Sequence, residues 1–448
     1  MMALRDKVAV KKAKIGIFGA GYVGLPLACA FAQAGFTTIA GDSDQAKVDA
    51  IRRGSTYVED EYTKRTLPGL VASNLVDATT DTSRVASIAD FLIITVPTPL
   101  TDDKRPDLTF LTNVAKTIAK EIRPGKFVIT ESSVYPGTTE EIIKPILEQG
   151  GLKAGDEFGL AYSPERIDYG NTKFAVFDIP KVVGGVTPLC TQIACDLYSK
   201  ILRAPVIAVS NPKTAEATKM LENTYRYVNI ALANELAIVH EKMGIDYFEV
   251  LAAASTKPFG FQAFYPGPGV GGHCIPKDPH YLLYKVHQLG GSVSLIDLST
   301  AINERMTDYI MGRLAVDLEN RHKPLSGSKA AILGLAFKPE VSDTRRSPAI
   351  ALADYLIDKN VQVSAYDPFA KSVVVRNGLL KSESDAEAAV RDADIIFLVT
   401  SHSQFRHIEL RRLANVAKPG ATVFDTRGFW SKAECEAAGF RYLGLGRP

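Results

Sequence analysis

One cysteine of the chain lies in a segment whose composition could support covalent catalysis. In GPGVGGHCIPKDPHYL, residues 267–282, Cys274 follows Gly271 and Gly272 and precedes Asp278. A thiolate can add to an aldehyde, and the resulting thiohemiacetal can lose a hydride to give a thioester that water hydrolyses. The two glycines would let a substrate approach the sulfur, and Asp278 supplies a carboxyl group for proton transfer. Spacing alone leaves a buried, inert thiol as the alternative.

The neighbours of this cysteine and the other thiols narrow the chemistry. His273 is adjacent to Cys274, but consecutive side chains on extended backbone point in opposite directions, so we predict a structural role for this histidine. The other cysteines are Cys29, Cys190, Cys195 and Cys435. The Cys190/Cys195 pair could be half of a metal site, but no His or Cys pair complements it. We therefore expect reduced thiols, a cytoplasmic location and no metal.

A second group of residues has the spacing of a nucleotide-binding loop. Gly19, Gly21 and Gly24 form G-x-G-x-x-G directly after the apolar run KIGIF. The first two would permit a tight turn and close approach to a pyrophosphate, and the third would let a helix pack on the strand. Asp42 ends the next apolar run. A carboxylate at this position accepts hydrogen bonds from the ribose hydroxyls of NAD and repels the 2′-phosphate of NADP. We predict NAD rather than NADP; glycines that serve only packing are the alternative.

Alternating strands and helices must position these groups. The apolar runs TTIAGDSD, ADFLIITVPTP and KFVITESSVYPG end in polar or proline-containing loops and alternate with amphipathic helical patterns. That order is typical of a doubly wound, mostly parallel sheet. After the polar segment ENRHKPLSGSK, a second series begins with KAAILGLAFKP, SPAIALADYLIDKN and VQVSAYDP. The fold class is therefore α/β, with two Rossmann-like domains joined by a helical middle.

A long helix is predicted between the two series. Asn211 and Pro212 suit its start, and Gly244 ends the pattern after about 30 residues, or on the order of 45 Å. The apolar residues at helical spacing are Met220, Leu221, Val228, Leu232, Leu236 and Val239. A helix of this length suits a connection between two domains or two subunits.

Composition excludes several classes of protein. The 448 residues allow about three domains of roughly 150 residues. A net charge of +2, from 52 basic and 50 acidic residues, argues against a broad nucleic-acid surface. No apolar run approaches the roughly 18 residues of a membrane helix. The start, MMALRDKVAVKKAK, lacks a signal core, and we predict a short polar lead-in to the first strand.

Seven motifs, taken in order, resemble one enzyme family. They are GAGYVGLPLA, VPTPL, ESSVYPGTTEE, SPERI, TAEATKMLENTYR, GVGGHCIPKDP and GLAFKPEVSDTRRSP. Nearly end to end, the chain resembles the UDP-glucose/GDP-mannose dehydrogenase family, whose members oxidise C6 of a nucleotide-linked hexose from alcohol to carboxylate with two NAD per sugar. The resemblance implies an NAD-binding domain at 1–210, a central helical and dimerisation domain at 211–320, and a UDP-sugar-binding α/β domain at 321–448.

The resemblance also implies catalytic roles. Cys274 would be the nucleophile. Lys219 and Asn223, four residues apart and so on one helix face, would hold the developing oxyanion and orient substrate or water. Asp278 would activate water or move protons, and Glu165 would be the general base for thioester hydrolysis. Each has a plainer alternative: an exposed helix charge for Lys219, a helix-surface residue for Asn223, and an ion pair between Glu165 and its neighbour in the chain.

Further contacts are implied at the ends of strands. Thr130 and Glu131 end the run KFVIT, where Thr130 would be catalytic, and Lys338 and Arg345 follow AAILGLAF, a basic pair that suits pyrophosphate. The expected cofactor contacts are Gly19, Gly21, Tyr22, Val23, Gly24, Asp42, Lys47, Pro97, Thr98, Glu131 and Arg345. The expected substrate contacts are Glu165, Arg166, Lys219, Asn223, Tyr265, Gly271 and Lys338.

The forms SPER and GGHCIP resemble the branch of the family that acts on UDP-N-acetylhexosamines. We therefore expect UDP-N-acetylglucosamine first, then UDP-N-acetylmannosamine or UDP-N-acetylgalactosamine, then UDP-glucose. Lys277 and Arg346 depart from the residues common in the family. A two-electron hydroxyacid-type dehydrogenase is the alternative class, and Cys274 and FKPEVSDTRRSP argue against it. The long helix and the resemblance predict a homodimer or a larger symmetric assembly.

Overall fold

The computed structural model describes residues 1–167 and 176–448. Its contacts divide the chain into two compact units. The first unit comprises Met1–Glu222 and His280–Gly291, and the second comprises Asn223–Pro279 and Ser292–Pro448. The helical segment predicted at 211–320 contributes to both units, and the three-domain division stays a prediction.

In the described part of the first unit, eight strands form one sheet. The strands are β1 (Lys14–Phe18), β2 (Thr37–Gly41), β3 (Val76–Thr79), β4 (Phe91–Ile94), β5 (Phe127–Thr130), β6 (Gly159–Tyr162), β7 (Lys181–Gly185) and β8 (Val206–Ala208). Their order is β3-β2-β1-β4-β5-β6-β7-β8, and neighbours are parallel except β6 and β7. The first six strands have the doubly wound 3-2-1-4-5-6 order, with the reversal of direction between β1 and β4.

Helices cover both faces of this sheet. They are α1 (Met2–Ala9), α2 (Gly24–Gln33), α3 (Gln45–Arg52), α4 (Glu61–Ala72), α5 (Thr82–Ile88), α6 (Thr109–Glu121), α7 (Lys144–Glu148) and α8 (Pro188–Tyr198). A π-helical turn at Thr139–Ile143 precedes α7, and a 3-10 turn at Val176–Asp178 precedes β7. Along β4, Phe91 and Ile93 pack into one core cluster while Leu92 and Ile94 pack into the other. Burial on both faces explains why this strand is apolar throughout.

The N-terminal segment differs from the prediction. It is the helix α1 rather than a polar lead-in, and Leu4 and Val8, one turn apart, are buried in a core cluster that also contains residues of α8. Two apolar residues four apart among many charges gave a helical face that the count of basic residues concealed.

The predicted long helix is present. It is α9 (Pro212–Lys242), with 31 residues, and is followed by α10 (Tyr247–Ala254) and α11 (Asp278–Gln288). The Asn211 side-chain oxygen accepts a hydrogen bond of 2.9 Å from the Thr214 amide, as an N-cap residue does. Gly244 has a φ of +75°, a conformation that suits a residue just past a helix end.

The second unit has its own doubly wound sheet. The remaining helices are α12 (Ser294–Glu304), α13 (Met306–Asn320), α14 (Pro348–Asp358), α15 (Ala386–Val390), α16 (Leu410–Val416) and α17 (Lys432–Ala437). The strands are β9 (Lys329–Leu333), β10 (Gln362–Tyr366), β11 (Ser372–Val375), β12 (Gly378–Lys381), β13 (Ile395–Leu398), β14 (Thr422–Asp425) and β15 (Arg441–Gly444). Within this unit, all of it described, five parallel strands lie in the order β10-β9-β13-β14-β15, and β11 and β12 pair separately as a hairpin. The predicted fold class is confirmed.

Membrane-spanning segments were also sought along the described ranges. None of the helices there combines the length and the apolar character that crossing a bilayer requires.

Candidate active site

The glycine loop between β1 and α2 has the shape that a dinucleotide needs. Gly19 has a φ of +97°, a region that favours glycine. A side-chain carbon on Gly24 would lie 1.9 Å from the Gly19 carbonyl oxygen, so the third glycine allows the loop to close on the helix. A carbon on Gly21 would meet no atom within 4 Å, which leaves open space where a pyrophosphate would approach the backbone. Tyr22 is exposed and Val23 half-buried at the same turn.

Asp42 follows β2 and faces this loop. Its carboxylate accepts hydrogen bonds from the backbone amides of Ala20 at 2.9 Å and Asp44 at 3.0 Å. Lys47 places its ammonium 3.5 Å from the same carboxylate. These contacts fix the carboxylate at the carboxyl end of β2, where the ribose of a bound dinucleotide would meet it. The glycine loop and Asp42 therefore fit NAD.

The ends of β4 and β5 supply the next predicted residues. Pro97 is exposed, and the Thr98 hydroxyl donates to the Ser133 carbonyl at 2.7 Å. The Thr130 hydroxyl is buried and has no hydrogen-bond partner among the described residues, so it can bind a ligand or a water. The Glu131 side chain is fully buried, and any cofactor contact at this residue would come from its backbone.

A buried cluster of charges joins β5, β6 and β7. Lys181, at the start of β7, donates to a carboxylate oxygen of Glu131 at 2.8 Å and lies 3.6 Å from Glu165. The Tyr198 hydroxyl donates to the other oxygen of Glu131. Burial raises the pKa of Glu131, although Lys181 opposes this. Burial would lower the pKa of Lys181, but the two carboxylates outweigh it and the pKa is raised.

Glu165 is also the anchor of Lys219. Its backbone carbonyl accepts a hydrogen bond of 2.6 Å from the Lys219 ammonium, and its side chain accepts from the amides of Arg166 and Ile167. Lys219 is only 8% exposed, which excludes the alternative of a solvated helix charge. The guanidinium of Arg166 pairs with Glu222 at 2.6 Å, so Glu165 is not the ion-pair partner of its neighbour.

In the second unit, Asn223 and Asp278 contact each other. Both are buried, and the Asn223 amide donates to the Asp278 carboxylate at 2.5 Å. Lys277, which is 1% exposed, places its ammonium 2.9 Å from the other oxygen of this carboxylate. The predicted helix-surface alternative for Asn223 is therefore wrong. The departure noted at Lys277 is a buried cation beside the predicted acid.

Cys274 is half-buried in the loop before α11. Its carbonyl accepts hydrogen bonds from the backbone amides of Lys277 and Asp278, so the backbone forms a turn here instead of an extended segment. The sulfur consequently lies 3.6 Å from Nδ1 of His273, and the expectation that these side chains point apart is wrong. Burial, followed by the charges of Lys277 and Arg345, lowers the pKa of His273 to about 4. Proton transfer from an ordinary thiol, with a pKa of about 8.5, would cost roughly 6 kcal/mol, so His273 is a poor base.

The two glycines before Cys274 serve packing. Side-chain carbons on Gly271 and Gly272 would lie 2.8 Å from atoms of Phe337, so the space expected for substrate is filled by the loop that carries Lys338. Gly272 also has a φ of +93° and donates its amide to the Arg345 carbonyl.

Three residues of the second unit that were predicted to contact the substrate or the cofactor differ from one another in their surroundings. Lys338 is half-buried, with its ammonium 5.9 Å from the centre of the Phe337 ring. Arg345 forms a two-pronged pair with Asp343, at 2.9 and 2.6 Å. Tyr265 is 62% exposed. All three thus leave polar groups near the surface of the unit.

Among the charges that sequence reasoning missed outside the cluster of Lys181 are buried Glu216 and half-buried Arg427. Glu216, on α9, accepts the amides of Gly137 at 2.5 Å and Thr139 at 2.8 Å, and burial raises its pKa to about 7. Arg427, after β14, donates to the Val399 carbonyl at 2.7 Å. Burial lowers the pKa of Arg427 to about 10, so it stays charged near neutral pH. Their partners are remote in sequence, and no local pattern indicates them.

Metal sites were sought as clusters of side-chain ligands. Within residues 1–167 and 176–448, no group of three His, Cys, Asp or Glu side chains could hold a metal ion.

Three sequence models of one family match consecutive segments of the chain. They describe the NAD binding domain at residues 13–202, the central domain at residues 213–305 and the UDP binding domain at residues 331–432 of the UDP-glucose/GDP-mannose dehydrogenase family. The chain belongs to this family. It is thus an NAD-dependent dehydrogenase with a UDP-binding segment, and the expected cofactor and family are confirmed.

Individual relatives act on different sugars. A UDP-N-acetyl-D-glucosamine 6-dehydrogenase of Pseudomonas aeruginosa is 35% identical over 93% of this chain and 97% of that protein. An NDP-N-acetyl-D-galactosaminuronic acid dehydrogenase of Ralstonia solanacearum is 32% identical over 93% and 96%. The solved structure of a UDP-D-ManNAc dehydrogenase from Pyrococcus horikoshii has a TM-score of 0.89 and 31% identity, over 97% of this chain and 99% of that chain.

Proposed function

We propose that the protein oxidises C6 of a UDP-N-acetylhexosamine from alcohol to carboxylate, with UDP-N-acetylglucosamine as the first choice. The likeness to the Pseudomonas aeruginosa enzyme and the motifs SPER and GGHCIP support this sugar. Relatives that act on N-acetylmannosamine and N-acetylgalactosamine derivatives are about as similar, so these sugars and UDP-glucose are the competing substrates.

The surroundings of Cys274 support its proposed role as the nucleophile in this four-electron oxidation, in which alcohol is converted to carboxylate with two NAD per sugar. Cys29, Cys190 and Cys435 are buried, and burial raises the pKa of both Cys29 and Cys435 to about 12. Cys195 is half-buried, but burial raises its pKa to about 11. Cys274 instead lies half-buried in the loop just before α11, four residues before Asp278, the predicted acid. It is therefore the thiol best placed to be a nucleophile.

The roles of the other side chains follow the family resemblance. Bound NAD would take up the hydride that each oxidation releases. Cys274 would add to the C6 aldehyde and stay attached until water hydrolyses the thioester. Lys219 would hold the developing oxyanion; among the bonds described above, its ammonium donates only to a neutral carbonyl, which does not offset a positive charge. Asp278, with Asn223 as its hydrogen-bond partner, would handle protons, and Glu165 would be the base for hydrolysis.

We also propose that the protein is a homodimer or larger symmetric assembly. In the second unit, the α9 residues Leu232, Leu236 and Val239 share one face at helical spacing and are 36–50% exposed. An apolar face of this kind is more often covered by a partner than by water.

The proposed reaction is tested by counting NADH per sugar consumed with the four UDP-sugars named above. We expect two NADH per sugar, fastest with UDP-N-acetylglucosamine. Cys274→Ser should lose acid formation while still binding NAD and UDP-sugar, and Cys195→Ser is the matched control that should keep it. One NADH per sugar, or normal acid formation by Cys274→Ser, would refute the covalent route.

A further inference from the structure

The buried cluster around Lys181 contains two carboxylates and one ammonium whose contacts are unequal. Glu131 is fully buried and accepts the short hydrogen bond of 2.8 Å from Lys181. Glu165 is 19% exposed and lies at the longer distance of 3.6 Å. The short charge-assisted hydrogen bond holds the nearer carboxylate firmly, whereas the longer contact attracts the other more weakly.

We propose that Lys181 is a positioning residue that pairs with Glu131, and so leaves the second carboxylate oxygen of Glu165 oriented to accept a proton. This inference rests on the proposed function, because it deepens the role of Glu165 as the base for hydrolysis. In that step a water oxygen bonds to the thioester carbonyl carbon and Glu165 takes one proton. The carbon–sulfur bond then breaks, its electron pair returns to the sulfur of Cys274, and the acid leaves.

The hydrogen bonds around Glu165 support this division of roles. Its first carboxylate oxygen accepts the amides of Arg166 at 2.6 Å and Ile167 at 2.7 Å, which fixes the side chain in a local turn. Its second oxygen faces Lys181. The Tyr198 hydroxyl holds Glu131 from the other side. Without the ammonium, two carboxylates would face each other in a buried site, and such a pair retains a proton.

The test is Lys181→Met, compared with wild type and Lys181→Arg. We expect Lys181→Met to move the acidic limb of the kcat profile upward by about one pH unit, and so to lower kcat on that limb by up to about 10-fold. KM for both substrates should change less than about threefold, since Lys181 would act on hydrolysis. A covalent adduct on the Cys274 peptide, detected by mass spectrometry after acid quenching, should accumulate. Lys181→Arg should restore most of the wild-type profile.

Lys126→Met is the matched control. Lys126 is buried to the same degree, 7% exposed against 8% for Lys181, and lies in the same unit. Its ammonium donates to three neutral carbonyls, those of Ala86, Ser87 and Ala89. Loss of this buried lysine should lower stability without moving the pH limb or trapping an adduct. An equal shift in both variants would overturn the proposal, since burial and not the carboxylates would then be the cause.

The possible failures are distinguishable. If wild type forms no acid, the proposed function fails and the inference fails with it. If wild type forms acid but Lys181→Met keeps its pH limb, only the inference fails. Should Lys181→Met not fold, Tyr198→Phe carries the test. This variant removes the hydrogen bond from Tyr198 to Glu131, so Glu131 should attract Lys181 more strongly and draw it away from Glu165. An unchanged acidic limb of the kcat profile in Tyr198→Phe would also contradict the proposal.

Discussion

Glu216 gives a prediction of stability whose size can be worked from the structure. Its buried carboxylate holds the amides of Gly137 and Thr139, and burial raises its pKa from 4.5 to about 7. The folded state therefore binds the proton more tightly than the unfolded chain does. Between pH 4.5 and 7 the free energy of unfolding must fall as pH rises, because the unfolded state releases the proton first.

The magnitude follows from the shift in pKa. At 1.36 kcal/mol per unit, the shift corresponds to about 3 kcal/mol, which is fully lost above pH 7. Glu216→Gln stays neutral at every pH and lacks this loss. For a unit of this size, a change of about 3 kcal/mol corresponds to roughly 6–12 °C in Tm. From pH 5 to pH 8, the Tm of wild type should fall relative to that of the variant by several degrees.

The assay is thermal unfolding of wild type and Glu216→Gln by circular dichroism at pH 5, 6, 7 and 8. Glu141→Gln is the control from the same region. Hydrogen bonding by Lys285 lowers the pKa of Glu141, so its stabilisation is lost only as pH falls below about 4.5 and adds no slope above pH 5. Parallel Tm curves for wild type and Glu216→Gln would refute the reasoning, because the carboxyl would then titrate alike in both states.

Two further predictions concern the cofactor and the assembly. Asp42→Asn should raise KM for NAD by about 10- to 100-fold, because a charge-assisted hydrogen bond to the ribose is lost. The preference for NAD over NADP should also decrease. Unchanged kinetics with both cofactors would contradict the role of Asp42. The double variant Leu232→Glu and Val239→Glu should lower the mass measured by light scattering to that of one chain. The control Val374→Glu, at a 72% exposed apolar residue of the β11–β12 hairpin, should leave the mass unchanged. If the double variant also keeps the wild-type mass, α9 does not form the interface.

Local sequence predicted most of the fold because the relevant signals are short-range. The alternation of strands and helices, the glycine loop and the capping of α9 by Asn211 each depend on residues within a few positions of one another. The end of α9 at Gly244 is of the same kind. The helix α1 was not predicted, because only two buried residues, Leu4 and Val8, distinguish its sequence from that of a charged tail.

The loop that carries Cys274 shows where local rules fail. Its glycines were expected to admit substrate, but their open sides are occupied by Phe337, which lies far along the chain. The turn made by the Cys274 carbonyl also brings His273 to the sulfur, which a rule for extended backbone cannot foresee. Residue types identified the segment, and long-range packing decided its geometry.

The two lysines that contact Glu165 differ for a reason that only the tertiary structure supplies. Lys181 donates to a carboxylate 50 positions away and is neutralised by it, whereas Lys219 donates to the backbone carbonyl of Glu165. A carbonyl offers a hydrogen bond without cancelling a full charge, so this contact leaves Lys219 suited to the proposed role of holding a developing oxyanion. Lys181 cannot serve that purpose, since its charge is balanced within the cluster. The same glutamate thus contacts one lysine through its side chain and the other through its backbone, and the proposed roles, positioning for Lys181 and catalysis for Lys219, follow from this difference.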